Sequence, residues 1–172
     1  MERFSENTLQ ILKKAGWFPG RHVSLDDFEA YVKQETTDCE AEFELIPNAT
    51  IRNFLHEFGG LTIIMRRQIP LSPAMDSFKM ATRDIPIGVP GIRIIVCVEE
   101  MEGWIGGDKL YPISINHDFS FTMMSYSGRI YDYCSGRFIE SGKSGEDWIE
   151  RLCNFYCGLP FTPDILIHQE VI

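Results

Sequence analysis

The stretch from Asn48 to Arg66 constrains the fold more than any other. Ile51, Phe54, Leu55 and Phe58 recur at the spacing of one helix face. Gly59-Gly60 ends that period, and the β-branched, apolar run LTIIMR from Leu61 reads as a strand. A helix must therefore become a strand within about two residues. The same stretch carries His56-Glu57, the beginning of the zinc-protease helix H-E-x-x-H. That motif needs a second histidine four residues on, because i and i+4 share a helix face. Gly60 stands there, so the ligand pair is missing. His56 and Glu57 are then expected on the outer side of a structural helix.

Helix signals precede this corner. Ser5 is a good N-cap, with Phe4 and Leu9 at the positions of a hydrophobic staple. Lys13 and Lys14 suit the negative end of the helix dipole. Gly16 can take the left-handed C′ position, which lets Trp17 fold back on Leu12. A second helix is expected from Ser24, with Asp27 as a variant capping box and Phe28, Tyr31 and Val32 as its apolar stripe. It is expected to fray near Thr36-Thr37. Pro70, Ser72 and Pro73 break the chain after the first strand, and Phe78 to Met80 is a candidate second strand.

Further on, KLYPIS (109–114), FSFTMMS (119–125) and RIYDY (129–133) read as strands, the last two joined by a turn at Ser127-Gly128. GRFIESGKS (136–144) reads as a loop ending in the N-cap Ser144 of a last helix. Trp148, Leu152 and Phe155 form that helix's expected inner face, with Gly158 and Pro160 ending it. FTPDILIHQEVI is a tail suited to an edge strand. Strands and helices do not alternate as βαβ units. The expected class is α+β: one domain over 1–172, N-terminal helices, a central and mostly antiparallel sheet, and a C-terminal helix.

No catalytic or metal constellation stands out. The four histidines are scattered, and Cys153 and Cys157, though i and i+4, lack further ligands nearby. Gly136 and Gly142 are separated by five residues where a phosphate loop has four, so nucleotide binding is not supported. A nucleophile pair of Cys134 and His117 is conceivable, but nothing in the sequence brings the two together. No cofactor is expected. Five cysteines at irregular positions argue against a disulfide framework, and the N-terminus lacks the apolar core of a signal peptide. A cytoplasmic location is expected, with no membrane span. The formal net charge of −9 disfavours direct nucleic-acid binding; it would attract a basic protein, but taken alone it is read as an aid to solubility.

AGWFPGR (15–21), FLHEFGGL (54–61), LYPIS (110–114) and SGRIYDY (127–133), with an acid-led final helix, come in an order and spacing that resemble the SUKH-3 branch of the SUKH superfamily. The resemblance covers roughly residues 9–158, leaving 159–172 as a C-terminal extension. Ser114 departs from the pattern by standing where the family has glycine, so the backbone is expected to differ locally. Against local β-propensity, the resemblance implies a helix across Ile92 to Gly106.

The resemblance also implies a non-enzymatic immunity protein that binds and neutralises a cognate toxin domain of a bacterial polymorphic or contact-dependent system. Many such partners are nucleases. The alternative is a scaffold or regulatory binding module of the related Smi1/Knr4 kind. Candidate partner-binding residues are Asp38, Glu40, Glu42 and Glu44 from the acidic run ETTDCEAEFE, and Tyr131, Asp132 and Tyr133 from the hairpin. Trp17 and Arg21 match the family motif. For that pair a structural role, as helix-end plug and hydrogen-bonding strut, is the preferred reading.

Overall fold

The computed structural model describes residues 3–38, 44–66, 82–86, 98–115, 121–134, 137–155 and 165–169. Three helices come first: α1 (Glu6–Lys14), α2 (Asp26–Asp38) and α3 (Ala49–Phe58). Strands β1 (Thr62–Arg66) and β2 (Thr82–Pro86) form an antiparallel pair. After α4 (Val98–Trp104) come β3 (Leu110–Ile115), β4 (Phe121–Ser125), β5 (Ile130–Cys134) and β6 (Arg137–Gly142). Helix α5 (Gly145–Phe155) and β7 (Ile165–Gln169) complete the order. Strands β3 to β7 make one antiparallel sheet in sequence order. The fold is α+β, as expected.

The α3 corner forms as its spacing demands. Asn48 caps the helix by accepting the Ile51 N–H at 3.0 Å, and its amide donates to the Tyr126 carbonyl at 2.9 Å. Ile51, Phe54, Leu55 and Phe58 are all buried. Each contributes roughly 1.5–3 kcal/mol by leaving water. That outweighs the helix propensity lost to β-branched and aromatic residues, at most about 0.7 kcal/mol each.

Both faces of the central sheet are covered, which is why consecutive residues along β4 are buried. Register pairs Tyr111 with Met124, Met124 with Ile130 and Ile130 with Gly142, so these share one face. Phe28 of α2 meets Tyr111 edge-on at 6.1 Å there. Trp148 of α5 lies close over Gly142. On the other face Met123 pairs with Tyr131, whose ring stacks on Phe138 at 5.2 Å. Trp104 of α4 packs on Phe138 at 5.6 Å. Buried carboxylates are compensated, as such groups must be. Glu102 accepts from Lys109 at 2.6 Å and from the Leu110 N–H at 3.0 Å. Glu140 receives Arg129 at 2.8 and 2.9 Å.

Several expectations need correction. Helix α2 starts at Asp26, and the Leu25 carbonyl accepts the first helical bond, from the Glu29 N–H at 2.8 Å. The Ser24 hydroxyl instead accepts from Asp26 N–H at 3.2 Å and donates to the Asp26 carboxylate at 2.9 Å, a local turn that displaces the expected box. The helix runs on through Thr36, whose hydroxyl donates back to the Val32 carbonyl at 2.5 Å. The segment expected as a loop before Ser144 contains β6, because pairing with β5 and β7 supplies its backbone partners. The strand pairing with β1 is Thr82–Pro86, while Phe78 to Met80 lies outside the described residues. On α5 the buried set is Trp148, Ile149 and Cys153, with Leu152 half-buried and the Phe155 side chain outside the description.

Of the helix implied across Ile92 to Gly106, the structure shows Val98–Trp104 as α4; Ile105 and Gly106 lie in a turn, and 92–97 lie outside the described residues. The β3–β4 register shifts between Pro112 and Ser114. The tail supplies β7 at the sheet edge.

Two substitutions probe this packing. A Cβ on Gly145 would lie 2.3 Å from Phe54 Cδ2, and that ring is wedged against Phe58 and Trp148. Gly145→Ala is expected to destabilise by about 1–3 kcal/mol in urea unfolding, the overpacking exceeding the gain of about 1 kcal/mol in helix propensity. The Tyr111 hydroxyl is buried with no hydrogen-bond partner among the described residues, and burial raises its pKa. Tyr111→Phe is expected to leave stability unchanged or raise it by about 1 kcal/mol, read from the same unfolding midpoints.

Candidate functional site

Helix α1 ends in a complete Schellman motif. The Trp17 N–H reaches the Leu12 carbonyl at 2.9 Å and the Gly16 N–H reaches Lys13 at 3.1 Å, with Gly16 at φ 94°. Trp17 is thereby turned inward. Its ring lies parallel to Phe58 at 6.4 Å, and Phe4 meets both rings edge-on at 6.1 Å. Its indole N–H donates to Glu57 Oε1 at 3.1 Å.

The chain next closes a turn, with the Arg21 N–H donating to the Phe18 carbonyl at 3.1 Å. Pro19 at the second position and Gly20 at φ 80° in the third are the type II signature. Arg21 then reaches across to α3. Its two terminal nitrogens donate to the carbonyls of Glu57 and Gly59, each at 2.7 Å. These carbonyls lie at the helix C-terminus, where partners are scarce and cations are favoured. The His56 Nδ1–H donates to the Val23 carbonyl at 2.7 Å, since a carbonyl can only accept. The His22 ring stacks on His56 at 4.0 Å. Arg3 closes the group, donating to both oxygens of Glu57 at 2.5 and 2.9 Å and to Glu146 of α5 at 2.8 Å.

His56 and Glu57 are therefore half-buried and clamped, where the helix period alone suggested an outer face. The segment from Trp17 to Val23 folds over them. Glu57 and Arg3 were missed as organising residues. Their partners lie 40 and 54 residues away, and no local pattern encodes that.

The structure joins Trp17 and Arg21 through Glu57. Tyr131, Asp132 and Tyr133 alternate along β5: Tyr131 is buried, Asp132 accepts the Thr122 hydroxyl at 2.5 Å, and Tyr133 stacks on Phe121 at 5.0 Å. Glu44 is exposed, 3.9 Å from Lys33. Asp38 closes α2, and Glu40 and Glu42 lie outside the described residues. Among the described residues, no group of three or more His, Cys, Asp or Glu side chains is placed to hold a metal. Cys153 is buried, whereas Cys157, His117 and the Cys134 side chain lie outside the description. No described helix is long and apolar enough to cross a membrane.

With this geometry in place, the chain matches the SUKH-3 immunity protein family over residues 4–155. The chain belongs to the SUKH-3 immunity protein family. The match runs from Phe4, in the aromatic cluster, to the end of α5. Strand β7 therefore lies beyond the SUKH-3 match and extends its sheet at the β6 edge. No curated protein and no solved structure shows significant similarity to the chain.

Two carboxylates of α5 fasten the N-terminal segment of the SUKH-3 domain. Burial alone would raise both. For Glu146 the hydrogen bond and charge of Arg3 prevail, and for Glu150 the bonds from Ser5, Thr8 and Asn154 do, so both sit below the ordinary carboxylate value. A depressed folded pKa gives stability that is present above the unfolded pKa and lost as pH falls through the folded one. A Glu146→Gln/Glu150→Gln variant is expected to be less stable than the parent at pH 7. The gap should close on acidification below about pH 4.5. Urea midpoints at several pH values check this.

Proposed function

We propose that this chain is a non-enzymatic immunity protein that binds and neutralises a cognate toxin domain of a bacterial polymorphic or contact-dependent system. Family membership over residues 4–155 carries the reading. The matched segment contains the Trp17–Arg21–Glu57 network, which holds the α1–α2 connection rigidly against α3. A connection tied down in this way presents a surface at little further entropic cost on binding.

The net charge of −9 supports a basic partner, such as a nuclease domain, met in the cytoplasm. Opposite charge raises the encounter rate by roughly ten- to a thousand-fold and acts over about 8–10 Å at physiological salt. Affinity must come from buried anchors at the contact.

The experiment is co-expression of this chain with the C-terminal domain of the toxin encoded beside its gene. Survival of cells that otherwise die is the expected outcome, together with a stable complex of the purified proteins. Association should slow by about tenfold or more between 50 mM and 500 mM salt, with a smaller change in dissociation. Unprotected cells and no complex would remove the assignment for that pair. Capture of a non-toxin partner in the same assay would favour the Smi1/Knr4-like alternative.

A further inference from the structure

Residues 15–21 fold as one braced unit, and nearly every side chain in it has a structural task. Ala15 is the C-cap of α1 and Gly16 takes the left-handed position. Trp17 fills the core and bonds Glu57. Pro19 and Gly20 supply the two central positions of the turn, and Arg21 ties it to the end of α3. Phe18 is the exception. Its carbonyl closes the turn, but the residue is 58% exposed. The other large apolar side chain so exposed among the described residues is Ile46. An aromatic residue left mostly in water on a rigid turn gains comparatively little for the fold by burial. It has the properties of a preorganised anchor, large and with few torsions left to freeze.

The surroundings indicate what it would fit. The turn leaves directly from the last turn of α1, where Lys13 and Lys14 are both exposed. The Gly16 N–H on the Lys13 carbonyl fixes how the turn sits on that helix end. Two exposed cations on the helix turn from which the Phe18 turn departs match an apolar socket with carboxylates on its rim. The overall −9 charge and this local cationic contact do not conflict. The first acts on approach at long range and the second at contact, inside one Debye length.

We infer that Phe18 is the anchor by which this chain engages its cognate toxin domain, seated in an apolar pocket whose rim carboxylates meet Lys13 and Lys14. This rests on the toxin-binding reading above. The test uses the full chain and a catalytically inactivated form of the toxin domain encoded beside its gene. Phe18→Ser is expected to weaken binding by about tenfold or more with an unchanged unfolding temperature, while Phe18→Leu retains most of the affinity. Lys13→Glu/Lys14→Glu should weaken binding at low salt and less at high salt.

Gly20→Ala, which strains the turn at φ 80°, should weaken binding in the parent but add nothing in the Phe18→Ser background. If the parent binds and Phe18→Ser binds equally well, the anchor assignment falls and the toxin-binding reading stands. If Phe18→Ser loses affinity and thermal stability together, Phe18 belongs to the fold and the assignment also falls. A parent chain that does not bind overturns both.

Discussion

The N-terminal half of the molecule is organised around Glu57. Its carboxylate receives Arg3 and the Trp17 indole, and its carbonyl receives Arg21. One residue at the end of α3 thus gathers the N-terminal segment, the end of α1 and the turn that follows. The ion pair itself is not the main source of stability. Arg3 is nearly half exposed, and such pairs are worth about 0–1 kcal/mol. The larger contribution comes from the rings beneath, Phe4, Trp17, Phe54 and Phe58, all buried. Glu57 determines how those rings are presented, since it fixes the indole N–H of Trp17 and the path of the chain above it.

That arrangement separates the roles within the family motif AGWFPGR. Six of its seven residues are consumed in ending a helix, filling the core, closing a turn or bracing it. The rigidity is local and built from hydrogen bonds of 2.7–3.1 Å, so it does not require the sheet to change. A binding protein gains from such a division, because the partner surface can change while the mount stays.

Much of this architecture was legible before folding. The caps at Ser5 and Ser144, the left-handed Gly16 and the buried face of α3 all follow from short-range rules, and all are present. Strands β3, β4 and β5 also lie where their sequences put them. Misreadings fell where long-range pairing outweighs local preference. Arg137–Gly142 carries Glu140 and ends in glycine, and it becomes a strand because β5, β7 and Arg129 complete it. Ser24 looked like a helix cap, but its hydroxyl found a nearer partner in Asp26.

The sequence alone determined the class of fold, the corner at Gly59-Gly60, and the failure of His56-Glu57 as a zinc motif. Those depend on spacing along the chain, which folding does not change. Only the tertiary structure decided that Glu57 is a hub, that Tyr131 is buried beneath Phe138, and that Phe18 alone in its motif faces water with a large ring. These depend on which distant surfaces come to cover a side chain. A helix or strand period shows that two faces exist, but not what will lie over each.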